Sequence, residues 1–279
     1  MTIKEKGLKI GKYVLLTFLA VISIFPFVFM IMGMTNSTQN IVAGKMEFGD
    51  QLLVNLTNLF NNDLGFAQTL KNSAIIALIT TVLALLISSA AGYGFEIYKS
   101  KARNKVFNIL LLSMMVPFAA LMIPLFQMFS KLSGTPLEWM GINTFFSVIV
   151  ISVATAFLIF FFRQNVKSFP KDMIEAARVD GVSEIGIFFK VFMPSITNTY
   201  AAAAIITFMN SWNAYMWPLI TLQTPEKRTI PLILSAMGAS YTPDYGMIMC
   251  AIVLATIPTA LIFFIMQKQF VEGMIGSVK

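Results

Sequence analysis

The sequence has no histidine and a single cysteine, Cys250. Without imidazole, no side chain ordinarily exchanges protons near neutral pH, and the commonest metal ligand is missing. One cysteine excludes an intramolecular disulfide and a thiolate metal cage. Charge is also scarce. Asp, Glu, Lys and Arg make up 12% of the 279 residues, where a water-facing domain carries roughly 25%. Glycine and proline number 16 and 11, too few for a collagenous, low-complexity or disordered chain. What is abundant is apolar: 57% of residues, including 26 Phe and 19 Met. Most of this chain's surface must face something other than water.

A helix needs about 20 apolar residues to cross the hydrocarbon of a bilayer. Six uncharged or nearly uncharged runs meet that length: Tyr13 to Met34, Asn72 to Phe95, Val106 to Ser130, Asn143 to Phe162, a stretch within Val191 to Glu226, and Tyr245 to Gln267. The first is longer than the roughly 7–15 residue core of a secretory signal and is expected to remain as a span. The reading is an all-α polytopic membrane protein with six spans, forming one transmembrane domain over 1–279. Spans two to six form a core over 70–267.

Six spans put both termini on one side. Lysine and arginine say which side. Lys4, Lys6, Lys9 and Lys12 precede span one, and Lys99, Lys101, Arg103 and Lys105 follow span two. Arg163, Lys167, Lys171, Arg178 and Lys190 follow span four, and Lys268 and Lys279 follow span six. The opposite side holds only Lys45, Lys71, Lys131, Lys227 and Arg228. The basic side is expected to be the cytoplasm. This placement accounts for the net charge of +7 without nucleic acid.

No Asp, Glu, Lys or Arg falls deep inside a run; Glu96 and Lys71 sit at ends. A mid-membrane charge costs about 2.5–3.5 kcal/mol on insertion scales and is accepted where an ion or proton path needs it. A proton-coupled carrier, a pump with a carboxylate relay and a charged filter are therefore disfavoured. The phosphate-cradling pattern G-x-x-x-x-G-K-[ST] is absent, since Gly44-Lys45 lacks both its upstream glycine and its hydroxyl. Uphill transport would draw its energy from another polypeptide. An intramembrane serine protease lacks a histidine base, and H-E-x-x-H zinc chemistry is excluded. No cofactor is expected on this chain.

The loop between spans four and five, 168–194, carries strong helical punctuation. Pro170 suits a first helical turn. Asp172 and Glu175 sit early, favourable to the helix dipole. Met173, Ile174 and Ala177 are expected to share one face. Asp180-Gly181 predicts a stop, with glycine accepting the left-handed conformation. Val182 to Met193 then forms a second helix running into Pro194. Ala176 and Ala177 leave room for close approach by a partner. The bland alternative is an amphipathic surface helix lying on headgroups.

These residues resemble a known pattern. Glu175-Ala176-Ala177, three residues, Gly181, nine residues and Val191-Phe192-Met193-Pro194 are similar to the E-A-A-x3-G-x9-I-x-L-P signature of ABC-importer permeases. Val191 and Met193 depart from it by apolar swaps. Further matches are Asn72-Ser73, Ala90-Ala91, Met114 to Pro117, Ser211-Trp212-Asn213 with Trp217-Pro218-Leu219, and Phe270-Val271-x-Gly273 with Gly276-x-Val278-Lys279. Over residues 70 to 279 the chain resembles the smaller permease subunit of maltose-type sugar importers. The resemblance implies a type I importer fold in a bacterial cytoplasmic membrane. It implies a second, different permease chain, two ATPase subunits that carry ATP and Mg, and an extracytoplasmic sugar-binding protein. It implies no covalent chemistry on this chain. It makes Glu175, Ala176, Ala177, Asp180 and Gly181 the coupling loop that docks on an ATPase.

Two further sets of residues are candidates. Asn210 and Asn213 are three apart in span five, and Asn210 lies about 20 Å from a helix start near Thr197. With Trp212 and Tyr215 they could line a sugar path, amides bonding hydroxyls and rings stacking on C–H faces. Alternatively the amides bridge helices and Trp212, Tyr215 and Trp217 form an interfacial belt. The external segment 224–245, with Gly238, Ser240 and Tyr241, resembles the family's loop that enters the binding protein's cleft; the alternative is an ordinary connector. Rival functions are a stand-alone carrier, a scaffold without a path, or import of another small polar solute such as a phosphorylated polyol.

Overall fold

The computed structural model describes residues 3–275, with side chains from 8 to 271. Expectations resting on Lys4, Lys6, Gly273, Gly276, Val278 and Lys279 lie outside the described side chains. Among the described residues the chain is helical, without strands. In order, the helices are α1 (Ile3–Gly33), α2 (Thr38–Val42), α3 (Leu52–Asn61), α4 (Phe66–Ile97), α5 (Lys101–Ser113), α6 (Phe118–Ser130) and α7 (Phe145–Val153). Then follow α8 (Ala156–Ser168), α9 (Lys171–Val179), α10 (Glu184–Ser195), α11 (Thr197–Trp212), α12 (Met216–Thr221), α13 (Ile230–Gly238) and α14 (Tyr245–Ile275). A π turn at Phe188–Phe192 lies within α10.

Four stretches are long and apolar enough to span: Leu8–Gly33, Phe66–Ile97, Phe145–Ser168 and Tyr245–Val271. The count reaches six when two bent pairs each serve as one span. These bends are where straight-span expectations need correcting. The third run turns by 103° between α5 and α6, because Pro117 takes an extended conformation and starts α6 afresh. The α10–α11 pair turns by 83° at Ile196, whose φ of −115° and ψ of 34° leave the helical region. Within Phe145–Ser168 the helix breaks again at Ala154. There Thr155 caps α8 by accepting the Leu158 N–H at 3.3 Å, and Ser88 Oγ donates to the freed Val153 carbonyl at 3.3 Å. Pro26, Pro124 and Pro258 stay inside their helices.

The chain divides into two compact units. The first comprises Met1–Phe66 and Ile233–Ile257. Its interior is tied by amides. Asn36 Nδ2 donates to the Met32 and Glu47 carbonyls at 3.0 and 2.6 Å. Asn55 Nδ2 donates to those of Met34 and Asn36 at 3.0 and 2.9 Å. Asp244 starts α14 by accepting the Met247 N–H at 3.1 Å, satisfying a donor that a helix start leaves free.

The second unit comprises Ala67–Leu232 and Pro258–Lys279. One of its clusters surrounds buried Trp217 with Phe129, Val148 and Ile149. The indole N–H donates to the Ser147 carbonyl at 2.9 Å, so Trp217 is a core residue and not part of an interfacial belt. A second cluster joins Ala84, Leu158, Phe162 and Ala203. Close approach of α4 and α8 depends on Gly92: a Cβ there would stand 2.8 Å from both the Phe162 Cβ and the Arg163 backbone nitrogen. Where α4 ends, Glu96 is 2% exposed. It pairs with Lys99 Nζ at 2.6 Å and Arg163 Nε at 3.2 Å. Arg163 also donates to Asn104 Oδ1 at 3.0 Å and lies 3.9 Å over the Phe107 ring. A buried ion needs such partners, since desolvating it alone costs several kcal/mol.

Candidate functional site

The hairpin over 168–194 is built as its punctuation predicts. Pro170 precedes α9 in an extended conformation, and Asp172 occupies the first turn. At the other end Asp180 is the C-cap and Gly181 has φ 74°. The Gly181 N–H donates to the Arg178 carbonyl and the Val182 N–H to the Ala177 carbonyl, both at 3.0 Å. This pair of bonds satisfies carbonyls that a helix end leaves free, and it requires a left-handed residue where Gly181 stands. Ser183 then caps α10, accepting the Gly186 N–H at 3.2 Å.

The hairpin has an anchored face and a free one. Ile174, Ala177, Ile187, Phe188 and Phe192 are buried with Tyr93, Val166 and Phe169. Tyr93 sits 5.5 Å from Phe188 and 4.9 Å from Phe192 between ring centroids, within the range in which aromatic pairs attract. Two expectations change here. Met173 is exposed, so it does not share the buried face of Ile174 and Ala177. Ala177 is buried, so it serves packing, while Ala176 and Glu175 face outward. The outward face also shows Val179 at 87% and Ile185 at 73% exposure, two apolar residues that sequence reading passed over.

The two arms are clamped by charge. Arg178 donates to Glu184 through Nε at 2.7 Å and Nη2 at 3.2 Å, and the Tyr98 hydroxyl, one residue beyond α4, donates to the same carboxylate. Arg178 first and Tyr98 second hold the Glu184 carboxyl below its usual range. Burial, reinforced by Glu184, raises the Tyr98 phenol. Nothing in the hairpin's sequence announced Tyr98, which lies 86 positions from Glu184.

The candidate path residues do not form one group. Asn210 and Ser211 line a small cleft with Thr80, Ser152, Thr155 and Thr207, about 110 Å³ in volume. Trp212 is buried and stacks on Phe208 at 5.5 Å. Asn213 is the C-cap of α11, its side-chain amide donates to the Met209 carbonyl at 2.9 Å, and it does not line the cleft that Asn210 lines. Tyr215 packs beside the Trp217 cluster.

The segment 224–245 is largely ordered. It contains a 3₁₀ turn at Pro225–Lys227 and α13, whose last residue is Gly238. Its start is pinned by the Asn72-Ser73 pair. Asn72 Nδ2 donates to the Glu226 and Arg228 carbonyls at 2.8 and 2.9 Å, and Ser73 Oγ accepts the Ile230 N–H at 2.8 Å. Ser240 and Tyr241 follow α13 and are exposed, Tyr241 completely.

Known proteins give this geometry a context. Residues 84–276 match the family described as "Binding-protein-dependent transport system inner membrane component". The chain is 46% identical over 278 residues to the lactose transport system permease protein LacG of Rhizobium radiobacter, covering 100% of this chain and 99% of the relative. It is 37% identical over 226 residues to the arabinooligosaccharides transport system permease protein AraQ of Bacillus subtilis (81% and 78% covered). A more distant relative is the sn-glycerol-3-phosphate transport system permease protein UgpE of Pectobacterium atrosepticum, 28% identical over 284 residues (99% of each covered). The fold is similar to a chain in the crystal structure of a bacterial ABC transporter involved in the import of the acidic polysaccharide alginate. The TM-score there is 0.84 at 20% identity, with 97% of this chain and 99% of that chain covered. A matched pattern spanning most of the chain and a full-length relative at this identity decide the family: the chain belongs to the binding-protein-dependent transport system inner membrane components, multi-pass ABC permeases of the bacterial membrane.

Proposed function

We propose that this chain is a permease subunit of an ATP-driven sugar importer and forms the translocation path with a second, different permease chain. The observation that carries the sugar is the full-length 46% identity to a lactose permease protein, supported by the arabinooligosaccharide relative. Both termini and the hairpin lie in the cytoplasm, in keeping with the lysine and arginine placement. An extracytoplasmic binding protein delivers the sugar, and Gly238 at the end of α13, with Ser240 and Tyr241 just beyond it, reach toward its cleft.

The hairpin is the coupling element. Its outward face, Glu175, Ala176, Val179, Asp180 and Ile185, docks on one of two ATPase subunits that hold ATP and Mg. The left-handed Gly181 turn and the Arg178–Glu184–Tyr98 clamp make the two arms move as one body. Movement of the ATPases therefore reaches the ends of α4 and α8 through the aromatic cluster of Tyr93, Phe169 and Phe192. No residue on this chain forms or breaks a bond in the cargo.

The test is uptake by proteoliposomes holding the complete assembly and its sugar-binding protein. ATP-dependent accumulation of lactose or an arabino-oligosaccharide is expected, and the purified chain alone should give no flux. Accumulation of sn-glycerol 3-phosphate in preference to both sugars would favour the phosphorylated-polyol reading, which the UgpE relative supports at lower identity.

A further inference from the structure

Resting on the sugar-import reading, we propose that the cleft between α4, the α7–α8 break and the end of α11 is a subsite for a sugar hydroxyl. Thr80 is its principal contact. Four observations meet at this place.

The first is an unanswered hydroxyl. Thr80 is 1% exposed, lines the cleft, and its Oγ1 has no hydrogen-bond partner. Tyr93, farther along the same helix, also has a buried hydroxyl without a partner, but it does not line this cleft, and three other buried hydroxyls of α4 find acceptors. Thr81 Oγ1 donates to the Ala77 carbonyl at 2.7 Å, and Ser88 and Ser89 donate to the Val153 and Leu86 carbonyls. A buried hydroxyl left without a partner costs about 1–3 kcal/mol, a burden that a ligand hydroxyl or a water would relieve.

The second is backbone. The break at Ala154–Thr155 and the end of α11 at Trp212 both border the cleft, so two helices are interrupted at its wall. Irregular backbone at membrane depth is tolerated where it lines a cavity, and interrupted helices near mid-span are a recurring way to build solute sites. Thr80 lies 14 residues into the 32-residue α4, so its depth is also near mid-span.

The third is charge. Ser152, Thr155, Thr207, Asn210 and Ser211 complete the polar lining with Thr80, and no acidic or basic side chain contributes. The set can donate and accept but cannot neutralise an ion, which fits a neutral hydroxyl and not a phosphate. Phe157 also lines the cleft and offers a ring to the C–H edge of a sugar.

The fourth is size. About 110 Å³ exceeds the ~10–15 Å³ that one water centre needs, yet does not enclose a disaccharide. The cleft therefore takes one edge of a sugar ring, and the remainder of the cargo contacts other surfaces of the path.

The experiment uses the complete transporter in proteoliposomes with its binding protein. Wild-type uptake of lactose and of an arabino-oligosaccharide is measured first, and the faster-carried sugar is compared with its series of monodeoxy derivatives. Wild type should carry at least one derivative roughly three- to tenfold more slowly than the parent, the range of one hydrogen bond. Thr80→Val removes the hydroxyl at constant shape. It should slow the parent to the rate of that derivative and abolish the discrimination. Thr80→Ser should restore it. The subsite is overturned if wild type discriminates against no derivative. It is overturned if Thr80→Val keeps the wild-type ratios, which would mean that only water is bound. It is also overturned if Thr80→Val slows every sugar equally, which would mean packing alone. If wild type carries neither sugar, the import reading itself fails, and that result precedes any variant.

Discussion

The second unit contains two polar regions built on opposite terms. Around the ends of α4 and α8 the polar groups are ions: Glu96, Lys99 and Arg163, and nearby Arg178 and Glu184. In the cleft at Thr80 they are hydroxyls and one amide, with no ion among them. Ions are strong, oriented ties in a low-dielectric place but costly when unpaired. Hydroxyls are weaker and can exchange partners. The charged region therefore suits a junction that must keep its shape under load, and the neutral one suits a wall that meets changing contents.

The largest expected effect breaks the charged junction. Arg163→Met leaves Glu96 buried with only the half-exposed Lys99 beside it. It should cost about 3–5 kcal/mol, read as a lowered unfolding temperature of the detergent-solubilised assembly. Adding Glu96→Leu should recover most of that loss, because the buried carboxylate that has lost its buried partner is gone. A double variant no better than the single would show that packing against Phe107 carries the effect.

Next is the helix contact that aligns the two regions. Gly92→Val forces α4 away from Phe162 and the Arg163 backbone, an overpacking cost of about 1–3 kcal/mol. Stability and uptake should fall together in thermal and transport assays.

Gly181→Val acts differently. Its Cβ would meet open space, so the roughly 1–2 kcal/mol comes from holding a left-handed backbone. Transport and substrate-stimulated ATP hydrolysis should drop while membrane insertion persists. Gly181→Asn, which tolerates that conformation, should retain more of both. Full transport by the valine variant would remove the hairpin from the coupling route.

The smallest effect on the fold is expected at the outward face. Val179→Asp and Ile185→Asp touch exposed positions and should leave stability within about 0.5 kcal/mol, yet weaken retention of the ATPase on affinity purification. Acid gives a related reading of the clamp. Because the folded-state Glu184 carboxyl is lowered by Arg178 and Tyr98, its tie is present above the ordinary glutamate range. It is lost as pH falls through the lowered value. Coupled ATP hydrolysis should therefore fail at lower pH in wild type than in Arg178→Gln.

The hairpin was legible because its instructions are local: Pro170, Asp172 and Asp180-Gly181 act on their own backbone. The four long spans, and the two bent pairs that bring the count to six, were legible from run length. The breaks were less so. Pro117 marks one, but Pro124 and Pro258 leave their helices continuous, and the break at Ala154–Thr155 has no proline or glycine. It is held by Ser88 from another helix. Trp217, Tyr98 and the Glu96–Arg163 pair were misread or missed for the same reason. Their partners lie tens of positions away, and one sequence carries no sign of such distant pairings. The inward turn of Ala177 and the outward turn of Met173 depend on which side the aromatic cluster occupies, which periodicity alone leaves undetermined.

In α1 none of the most apolar window between Leu8 and Gly33 is covered by the rest of the chain. That surface is left for lipid, or for the proposed second permease, to meet. The helix can enter the lipid early as an autonomous anchor, before any of the remaining helices have found one another.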